Sequence, residues 1–325
     1  MPDQSLAGRL EQILLGGQRR FTRAEAAERA GISLDRASQL WRALGFASVG
    51  DDERAFTDSD VTALANAAEL VNTQLVDADS LQSVTRMVGQ SMSRLAEWQS
   101  RLLVELLAER PDAIPDGDLA AFISKVEPVL EQVQSHVWRR QLAAAAQRML
   151  AAQGTNQAAD VQAVGFVDLA GYTSLSRQLG VAELAEVLEE FESLAADLIA
   201  EQRGRVVKTI GDEVLFVAGS ASAAAEIGLG LQERAAASPL LPPVRAGLAF
   251  GEVLSRFGDV YGPVVNIASR LTGLARVDTV LVDQQLAEAL TGDQRYRTHR
   301  IRPASVRGYH HLNPFRLRRT PNSSS

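Results

Sequence analysis

Apolar residues recur at helical spacing through the first 150 positions of the chain. Segment 21–33 combines an N-cap at Thr22, an alanine-rich run and a glycine stop, so it predicts one short helix. A second helix follows at once, and a third begins at Thr57 or Asp58. Together these helices outline a helix-turn-helix within residues 21–75.

Two longer apolar stripes follow, separated by prolines and a glycine between residues 111 and 117. Their apolar positions are Leu95, Trp98, Leu102 and Leu106, then Phe122, Val126, Leu130, Val133 and Val137. We interpret both stripes as the core of a helical domain. A pocket for an apolar ligand and a dimer interface are the alternatives. Residues 1–150 are therefore predicted to form an all-helical domain.

From Val161 the pattern changes, because short apolar strands now alternate with helices. Strands are predicted at 162–168, 204–210, 213–218, 243–250, 253–257, 279–282, 296–302 and 311–317. Helices are predicted at 173–179, 181–202, 220–237, 264–275 and 283–290. The order predicts an α+β layer fold, a mostly antiparallel sheet covered by helices. The small, polar segment 151–160 is the predicted linker, and residues 320–325 are a predicted disordered tail.

The stretch Val206–Val217 predicts a β-hairpin, because β-branched and aromatic runs flank the turn dipeptide Gly211-Asp212. Lys208 interrupts the first of these strands, which is expected to be mostly buried. Asp212 stands at the tip, where a carboxylate can hold a metal ion. Asp168 ends an upstream strand, so both carboxylates meet at one edge if the two strands are neighbours.

The chain has 325 residues, of which 46% are hydrophobic, enough for two or three domains with apolar cores. Its net charge of −7 gives no general attraction to nucleic acid. DNA binding is not expected; it would use Arg36 and Arg42 on the second helix, and few other basic residues lie there. The alternative for this segment is a small helical bundle that packs on the rest of the protein.

Cysteine is absent, which excludes disulfides, thiolate catalysis and cysteine-ligated zinc. No apolar run reaches the roughly 18 residues of a membrane span. The N-terminus lacks the basic and then apolar layout of a signal peptide. We therefore expect a cytoplasmic protein without a membrane span.

Two strand-end carboxylates at one sheet edge suit Mg²⁺ or Mn²⁺, which take hard oxygen ligands and leave positions open for phosphates. The segment Leu169-Ala170-Gly171-Tyr172-Thr173 then leads into a predicted helix, where free backbone N–H groups form a site for an anion. Carboxylates, a metal and an N–H site together indicate a nucleoside triphosphate. A turn or capping role is the alternative for either aspartate alone.

A third element contains Asn266 and Arg270, which share a face because they are four residues apart on a predicted helix. Arginine can clamp a phosphoryl group, and asparagine can orient a sugar oxygen. Asp259 lies on the strand or turn that leads into this helix. An exposed surface pair is the alternative for Asn266 and Arg270.

Three segments in this order and spacing resemble the class III nucleotidyl cyclases: Phe166–Thr173, Lys208–Glu213 and Gly258–Arg270. The resemblance covers residues 161–319. It implies a ferredoxin-like α/β-layer catalytic domain that converts a nucleoside triphosphate to a 3′,5′-cyclic nucleotide and pyrophosphate.

By this resemblance, Asp168 and Asp212 hold two Mg²⁺ or Mn²⁺ ions per active site. Asn266 and Arg270 correspond to the pair that stabilises the transition state. Arg307 resembles a late basic residue that reaches the triphosphate. The metal ions lower the pKa of the ribose 3′-hydroxyl, which attacks the α-phosphorus in line. No member of the set is missing, which predicts an active enzyme.

Lys208 and Asp259 correspond to the purine-selecting pair of the family. Lysine is only a donor and an ionised aspartate only an acceptor, so together they complement N1 and the 6-amino group of adenine. ATP is therefore the predicted substrate. The resemblance also implies that each active site is shared by the two chains of a homodimer. One chain supplies the metal-binding aspartates, and its partner supplies the purine-selecting pair and the Asn266 and Arg270 pair.

The helical half resembles the regulatory domain of some actinobacterial, pH-responsive adenylyl cyclases, on its architecture and on segments such as Val137–Arg140. It implies an autoinhibitory domain with an apolar ligand as a further partner. An exposed His136 on its last helix is the candidate pH sensor, and a plain surface histidine is the alternative. The alternative for the whole chain is a catalytically silent ligand- or DNA-binding sensor that uses its cyclase-like domain for dimerisation.

Overall fold

The structure is a computed structural model that describes residues 6–109, 118–153, 160–256, 258–306 and 309–321. The chain divides into two compact units, residues 1–149 and 150–325. The first is helical, and the second contains a mixed sheet with helices, so the predicted fold class is confirmed.

Six helices form the described part of the first unit: α1 (Leu6–Leu14), α2 (Arg23–Arg29), α3 (Leu34–Leu44), α4 (Asp58–Asn72), α5 (Ala78–Glu109) and α6 (Leu119–Gln153). Capping starts three of them where the sequence predicts. Thr22 and Thr57 each form a capping box, and the Ser33 hydroxyl accepts the N–H of Arg36. Helix α6 continues three residues into the segment predicted as a linker.

The helix-turn-helix segment has its own small core. A backbone bridge joins Phe21 to Phe56, and the ring of Phe56 stacks on Trp41 with 4.1 Å between ring centroids. Alanines on α2 and α3 allow the two helices to approach closely, because Ala26 and Ala37 are fully buried. The core of this segment also includes Leu81, so the start of the long helix α5 packs against it.

The prediction that the apolar stripes of the two long helices form a buried core is wrong for most of their residues. Trp98 is 61% exposed, Val133 is 54% exposed and Val137 is 50% exposed. Helix α5 packs against α3 near Gly89, where an added Cβ would overlap the backbone of Leu44, but most of its apolar stripe faces solvent in the single chain. The pattern correctly predicts amphipathic helices and does not identify what covers them. None of the helices in the described residues is both long and apolar enough to cross a bilayer.

The second unit is built on a sheet whose order is β2-β3-β1-β4-β6-β10-β7. Its strands are β1 (Asp160–Leu169), β2 (Arg205–Ile210), β3 (Glu213–Ala218), β4 (Val244–Arg256), β5 (Asp259–Tyr261), β6 (Thr279–Val282), β7 (Tyr296–Arg300) and β10 (Phe315–Arg319). β5 pairs only with the end of β4, and β8 (Ala304–Val306) pairs with β9 (Tyr309–Leu312) in a separate hairpin. Only the β4–β6 pair is parallel among these pairs, as an α+β fold predicts.

Helices cover both faces of the sheet. They are α7 (Tyr172–Leu175), α8 (Val181–Glu201), α9 (Ala221–Ala237), α10 (Pro263–Leu274) and α11 (Gln284–Ala289). One apolar cluster joins the sheet to α8 and α9, and it includes Val167, Phe191 and Phe216. A second cluster lies on the opposite face against α10 and includes Phe166, Leu215 and Ala268. Alternate strand residues therefore serve alternate faces.

Helix α10 packs directly on β4. An added Cβ at Gly247 would overlap the backbone of Ala268 and Thr272, so only glycine allows this approach. The buried Thr272 hydroxyl donates to the carbonyl of Phe166, 3.3 Å away on β1. The helix is thus fixed on two neighbouring strands.

Several predicted boundaries are wrong. The predicted strands 243–250 and 253–257 are one continuous strand, because Gly251 pairs with Gln162 where the sequence indicates a break. The predicted strand 311–317 is divided between β9 and β10 at residues 313–314. β5 and β8 are not predicted, and the helix predicted at 173–179 is only the four-residue α7, followed by turns.

Candidate active site

Asp168 and Asp212 lie together at one edge of the sheet. β1 and β3 are neighbours, and the N–H of Leu169 donates to the Asp212 carbonyl at 3.2 Å. The Asp212 carboxyl is within hydrogen-bonding reach of Asp168. This is the arrangement expected if the two strands pair.

Two further charged residues join these aspartates, and sequence reasoning missed both. Glu213 and Arg245 stand directly opposite Asp168 on β3 and β4, so all three side chains lie on the α10 face. The Arg245 guanidinium forms an ion pair with Asp168, with its Nε 2.6 Å from Oδ2. We call Asp168, Asp212 and Glu213 the carboxylate cluster. A single arginine in an otherwise apolar strand indicates an acidic partner on a neighbouring strand. The strand register, which identifies Asp168 as that partner, cannot be read from the sequence.

The carboxylate cluster holds protons more tightly than isolated carboxyl groups do. Burial raises the pKa of Asp212 to about 6, and the neighbouring Asp168 adds to the effect. Burial also raises the pKa of Glu213 to about 7, again with repulsion from Asp168 and Asp212. Arg245 opposes both shifts in pKa. The cluster therefore has an excess of negative charge that one arginine only partly balances.

Lys208 and Asp259 form a second site on the same face of the sheet. The Lys208 Nζ lies 2.5 Å from Asp259 Oδ2, and the N–H of Val260 donates to the other carboxylate oxygen at 2.8 Å. Burial raises the pKa of Asp259, but these hydrogen bonds outweigh it and hold the pKa below its usual value. We call these two residues the Lys208–Asp259 pair.

The prediction that Lys208 lies in a mostly buried strand is wrong. β2 is the edge strand of the sheet, and the Lys208 side chain is 43% exposed. Among the described strands of this sheet, β2 pairs with β3 along one edge, and the residues of its second half, Lys208 to Ile210, are exposed. An ammonium group at this position stays hydrated without a ligand.

The predicted N–H site is smaller than expected. The N–H groups of Leu169 and Ala170 already donate to the carbonyls of Asp212 and Pro243, so they are not free. Within the described residues, the N–H groups of Gly171, Tyr172 and Thr173 have no backbone acceptor. Gly171 is left-handed, with a φ of 80°, which turns the chain sharply into α7. Three N–H groups therefore remain for an anion.

Asn266 and Arg270 share a face of α10, as predicted, but that face is directed away from the sheet. Both residues are exposed, whereas Val264, Ala268 and Leu271 on the other face are buried. Neither side chain has a hydrogen-bonding partner among the described residues. The single chain thus forms the carboxylate cluster and the Lys208–Asp259 pair as two separate sites on one face of the sheet, and Asn266 and Arg270 lie on the outward face of α10. Arg307 lies outside the described residues.

The helical unit contains a cavity of about 310 Å³ beside the helix-turn-helix core. Its apolar lining is Leu15, Trp41, Phe46, Val49 and Phe56. Arg42, one of the two arginines considered for DNA, also lines the cavity and is exposed, while Arg36 is half-buried. Acidic Asp35 stands beside Arg36 on α3, so the helix presents no continuous basic surface.

The chain matches the family of adenylate and guanylate cyclase catalytic domains over residues 155–319. An adenylate cyclase of Streptomyces coelicolor is 45% identical over 89% of this chain and 76% of its own length. One from Glutamicibacter nicotianae is 39% identical over 95% of this chain and 81% of its own length. A pH-sensitive adenylate cyclase of Mycobacterium tuberculosis is 31% identical over 82% of this chain and 69% of its own length.

A solved adenylyl cyclase from P. aeruginosa is similar in structure to about half of this chain. It has a TM-score of 0.45 and 18% sequence identity, over 51% of this chain and 97% of that chain.

Proposed function

The chain belongs to the family of adenylate and guanylate cyclase catalytic domains, and from this premise we propose that it is an adenylate cyclase that converts ATP to 3′,5′-cyclic AMP and pyrophosphate. The observation that carries the choice of substrate is the Lys208–Asp259 pair, with 2.5 Å between donor and acceptor. Its ammonium group can donate to N1 of adenine, and its carboxylate can accept from the 6-amino group. Guanine reverses this pattern, and its unpaired edge costs a few kcal/mol, about 1–3 per unsatisfied group.

Divalent cations fit the two carboxylates of Asp168 and Asp212, which lie side by side at the sheet edge. Their oxygens are ligands that Mg²⁺ and Mn²⁺ prefer, and the pKa of Asp212 is raised by burial and, secondarily, by the neighbouring Asp168, whose charge a cation would offset. We propose that Asp168 and Asp212 hold two such ions per active site. Bound there, the ions lower the pKa of the ribose 3′-hydroxyl and screen the charge of the phosphates.

The remaining residues bind and orient ATP for attack of the 3′-hydroxyl on the α-phosphorus, with pyrophosphate as the leaving group. Arg270 stabilises the charge that develops on the α-phosphate, and Asn266 orients the ribose. The free N–H groups of segment 171–173 bind phosphate oxygens. Arg245, which pairs with Asp168, is a candidate contact to a phosphate, and Arg307 is a second candidate contact to the triphosphate.

We propose that each active site is shared by two chains of a homodimer. The outward face of α10 supports this proposal, because Asn266 and Arg270 are directed away from the sheet that carries their own Asp168. A partner chain must then supply the missing residues. A monomer is expected to be inactive.

We further propose that the helical unit controls the reaction. Similarity to the adenylate cyclases extends through this unit, and one of them is pH-sensitive by name. His136, which is exposed on α6, stays the candidate pH sensor of this unit. The cavity beside Trp41 is where we expect the predicted apolar ligand to bind. Deletion of residues 1–150 should change the rate and its dependence on pH between about 5.5 and 8; an unchanged profile would contradict control.

The first test is cyclic AMP formation by the purified full-length protein, with Mg²⁺ or Mn²⁺ and with ATP or GTP, at acidic and at neutral pH. Cyclic AMP with little cyclic GMP is the expected product. No product under any of these conditions would favour the alternative of a silent sensor.

A mixing experiment tests the shared site. Asp168→Ala and Arg270→Ala chains are each expected to be inactive alone. In a mixture, each heterodimer contains one complete site, so random pairing restores about a quarter of the wild-type rate. No recovery in verified heterodimers would contradict the proposal.

A further inference from the structure

Asp259 lies on the short hairpin that the end of β4 forms with β5. Among the described residues, β1 pairs with β4 as far as Val253, and Leu254 to Arg256 pair with β5. At the base of this hairpin, Leu254 is 60% exposed and Tyr261 is 49% exposed. Val260 of this hairpin is buried in the apolar cluster on the α10 face, whereas Asp259 at the turn is half-buried and is placed against Lys208 by polar contacts with β2.

Besides this apolar packing, an ion pair and a hydrogen bond join the hairpin to β2. The ion pair is the one between Lys208 and Asp259. The hydrogen bond runs from Arg205 on β2, whose Nη1 donates to the carbonyl of Gly258 at 2.8 Å. Gly258 directly precedes Asp259 and has a φ of 79°. This second contact thus fixes the turn at its left-handed residue.

A β-bulge brings both contacts to one face. In a regular strand, residues three apart point to opposite faces of the sheet. The extra residue Val207 changes this, because Arg205 lies opposite Val217 while Lys208 lies opposite Leu215. Arg205 and Lys208 therefore both reach the hairpin.

The two contacts respond differently to a bound base. Adenine takes a hydrogen bond from the Lys208 ammonium and gives one to the Asp259 carboxylate, so it competes with their direct contact. Arg205 bonds a backbone carbonyl, which the base does not need. We propose that Arg205 is a positioning residue, which holds the β4–β5 hairpin in place so that the Asp259 carboxylate can accept a hydrogen bond from the 6-amino group of adenine. This inference rests on the proposed function of the Lys208–Asp259 pair.

The test compares kcat/KM for ATP and for GTP in full-length variants. Arg205→Met keeps the length of the side chain and removes its donors. We expect the ATP preference to fall about fivefold to tenfold, the effect of one hydrogen bond to a charged donor, mainly through a higher KM for ATP. Arg205→Lys, which can still donate, should restore most of the preference. Arg203→Met removes an exposed charge two residues away and should change nothing.

Hydrogen–deuterium exchange supplies a readout that is independent of turnover. Amide exchange at Val260 and Tyr261 should be faster in Arg205→Met and unchanged in Arg203→Met. Arg205→Gln serves the same purpose if the methionine variant does not fold. If Arg205→Met, or Arg205→Gln in its place, changes neither the preference for ATP over GTP nor the amide exchange at Val260 and Tyr261, the inference is overturned.

Lys208→Glu separates this inference from its premise. A loss of ATP preference in Lys208→Glu without one in Arg205→Met overturns the role of Arg205 alone. No change of preference in Lys208→Glu overturns the function of the pair, and the role of Arg205 with it.

Discussion

The carboxylate cluster and the Lys208–Asp259 pair share one face of one sheet but differ in electrostatic balance. The Lys208–Asp259 pair is satisfied, because a cation and an anion already meet and the pKa of Asp259 is low. The carboxylate cluster is unsatisfied, because three acids share one arginine and two of their pKa values are raised. The Lys208–Asp259 pair is therefore organised before its ligand binds. In the carboxylate cluster, the ionised state of the acids becomes favourable only when cations offset their charge.

Removing an acid from the carboxylate cluster should have the largest effect. Asp212→Ala is expected to lower the rate of cyclic AMP formation at least about a hundredfold, because a ligand of the metal ions is lost. Asp197→Ala, an exposed acid on α8, is the matched control and should retain full activity. Light scattering should show an unchanged oligomer in both variants. Substantial turnover by Asp212→Ala would contradict the metal assignment.

Reversing the charge of the Lys208–Asp259 pair comes next. Lys208→Glu places two carboxylates face to face and removes the donor to adenine. We expect kcat/KM for ATP to fall about a hundredfold relative to that for GTP. A variant that still strongly prefers ATP would show that another group selects the base.

Cation binding to the carboxylate cluster should weaken in acid. The pKa of Asp212 is about 6, so protons compete with the metal below that value. Between pH 7.5 and 5.5, the affinity for Mn²⁺ should fall about fourfold for one competing proton. Free Mn²⁺ measured by electron paramagnetic resonance gives this affinity without turnover. Affinity that does not change over this range would show that Asp212 stays ionised.

The smallest expected effect concerns stability. The pKa of Glu213 is about 7 in the folded chain and near 4.5 when unfolded. The folded state thus binds more protons between these values, so its stability falls as pH rises from 4.5 through 7. Glu213→Gln removes this penalty and should add about 1 kcal/mol at pH 8, after allowance for solvent screening. The gain in Tm should vanish near pH 4.5. Equal gains in Tm at pH 8 and at pH 4.5 would show that the substitution acts through side-chain packing and not through protonation of Glu213.

Local patterns predict much of this molecule. Caps at Thr22 and Thr57, the turn at Gly211 and the spacing of Asn266 and Arg270 depend on neighbours within a few residues, and the structure contains each of them. These features depend on short-range hydrogen bonds and helix periodicity, which a sequence expresses directly.

Features that depend on distant partners are not predictable in this way. Arg245 and Glu213 join the aspartates through strand register, and the exposure of Lys208 follows from the edge position of β2. The stripes on α5 and α6 show that a helix has an apolar face without showing what covers it. Strand register, strand order and the surface that covers an apolar helix face depend on tertiary or quaternary contacts, so a local sequence pattern does not contain them.

The close contact at Gly247 has a consequence for control. Helix α10 and β4 meet backbone to backbone there, so the helix cannot slide or tilt against the sheet without steric overlap. Within one chain, the backbones of Arg270 and Asp168 therefore keep a fixed relation. In the proposed shared site, a regulator that changes geometry is then expected to change how one chain docks on the other.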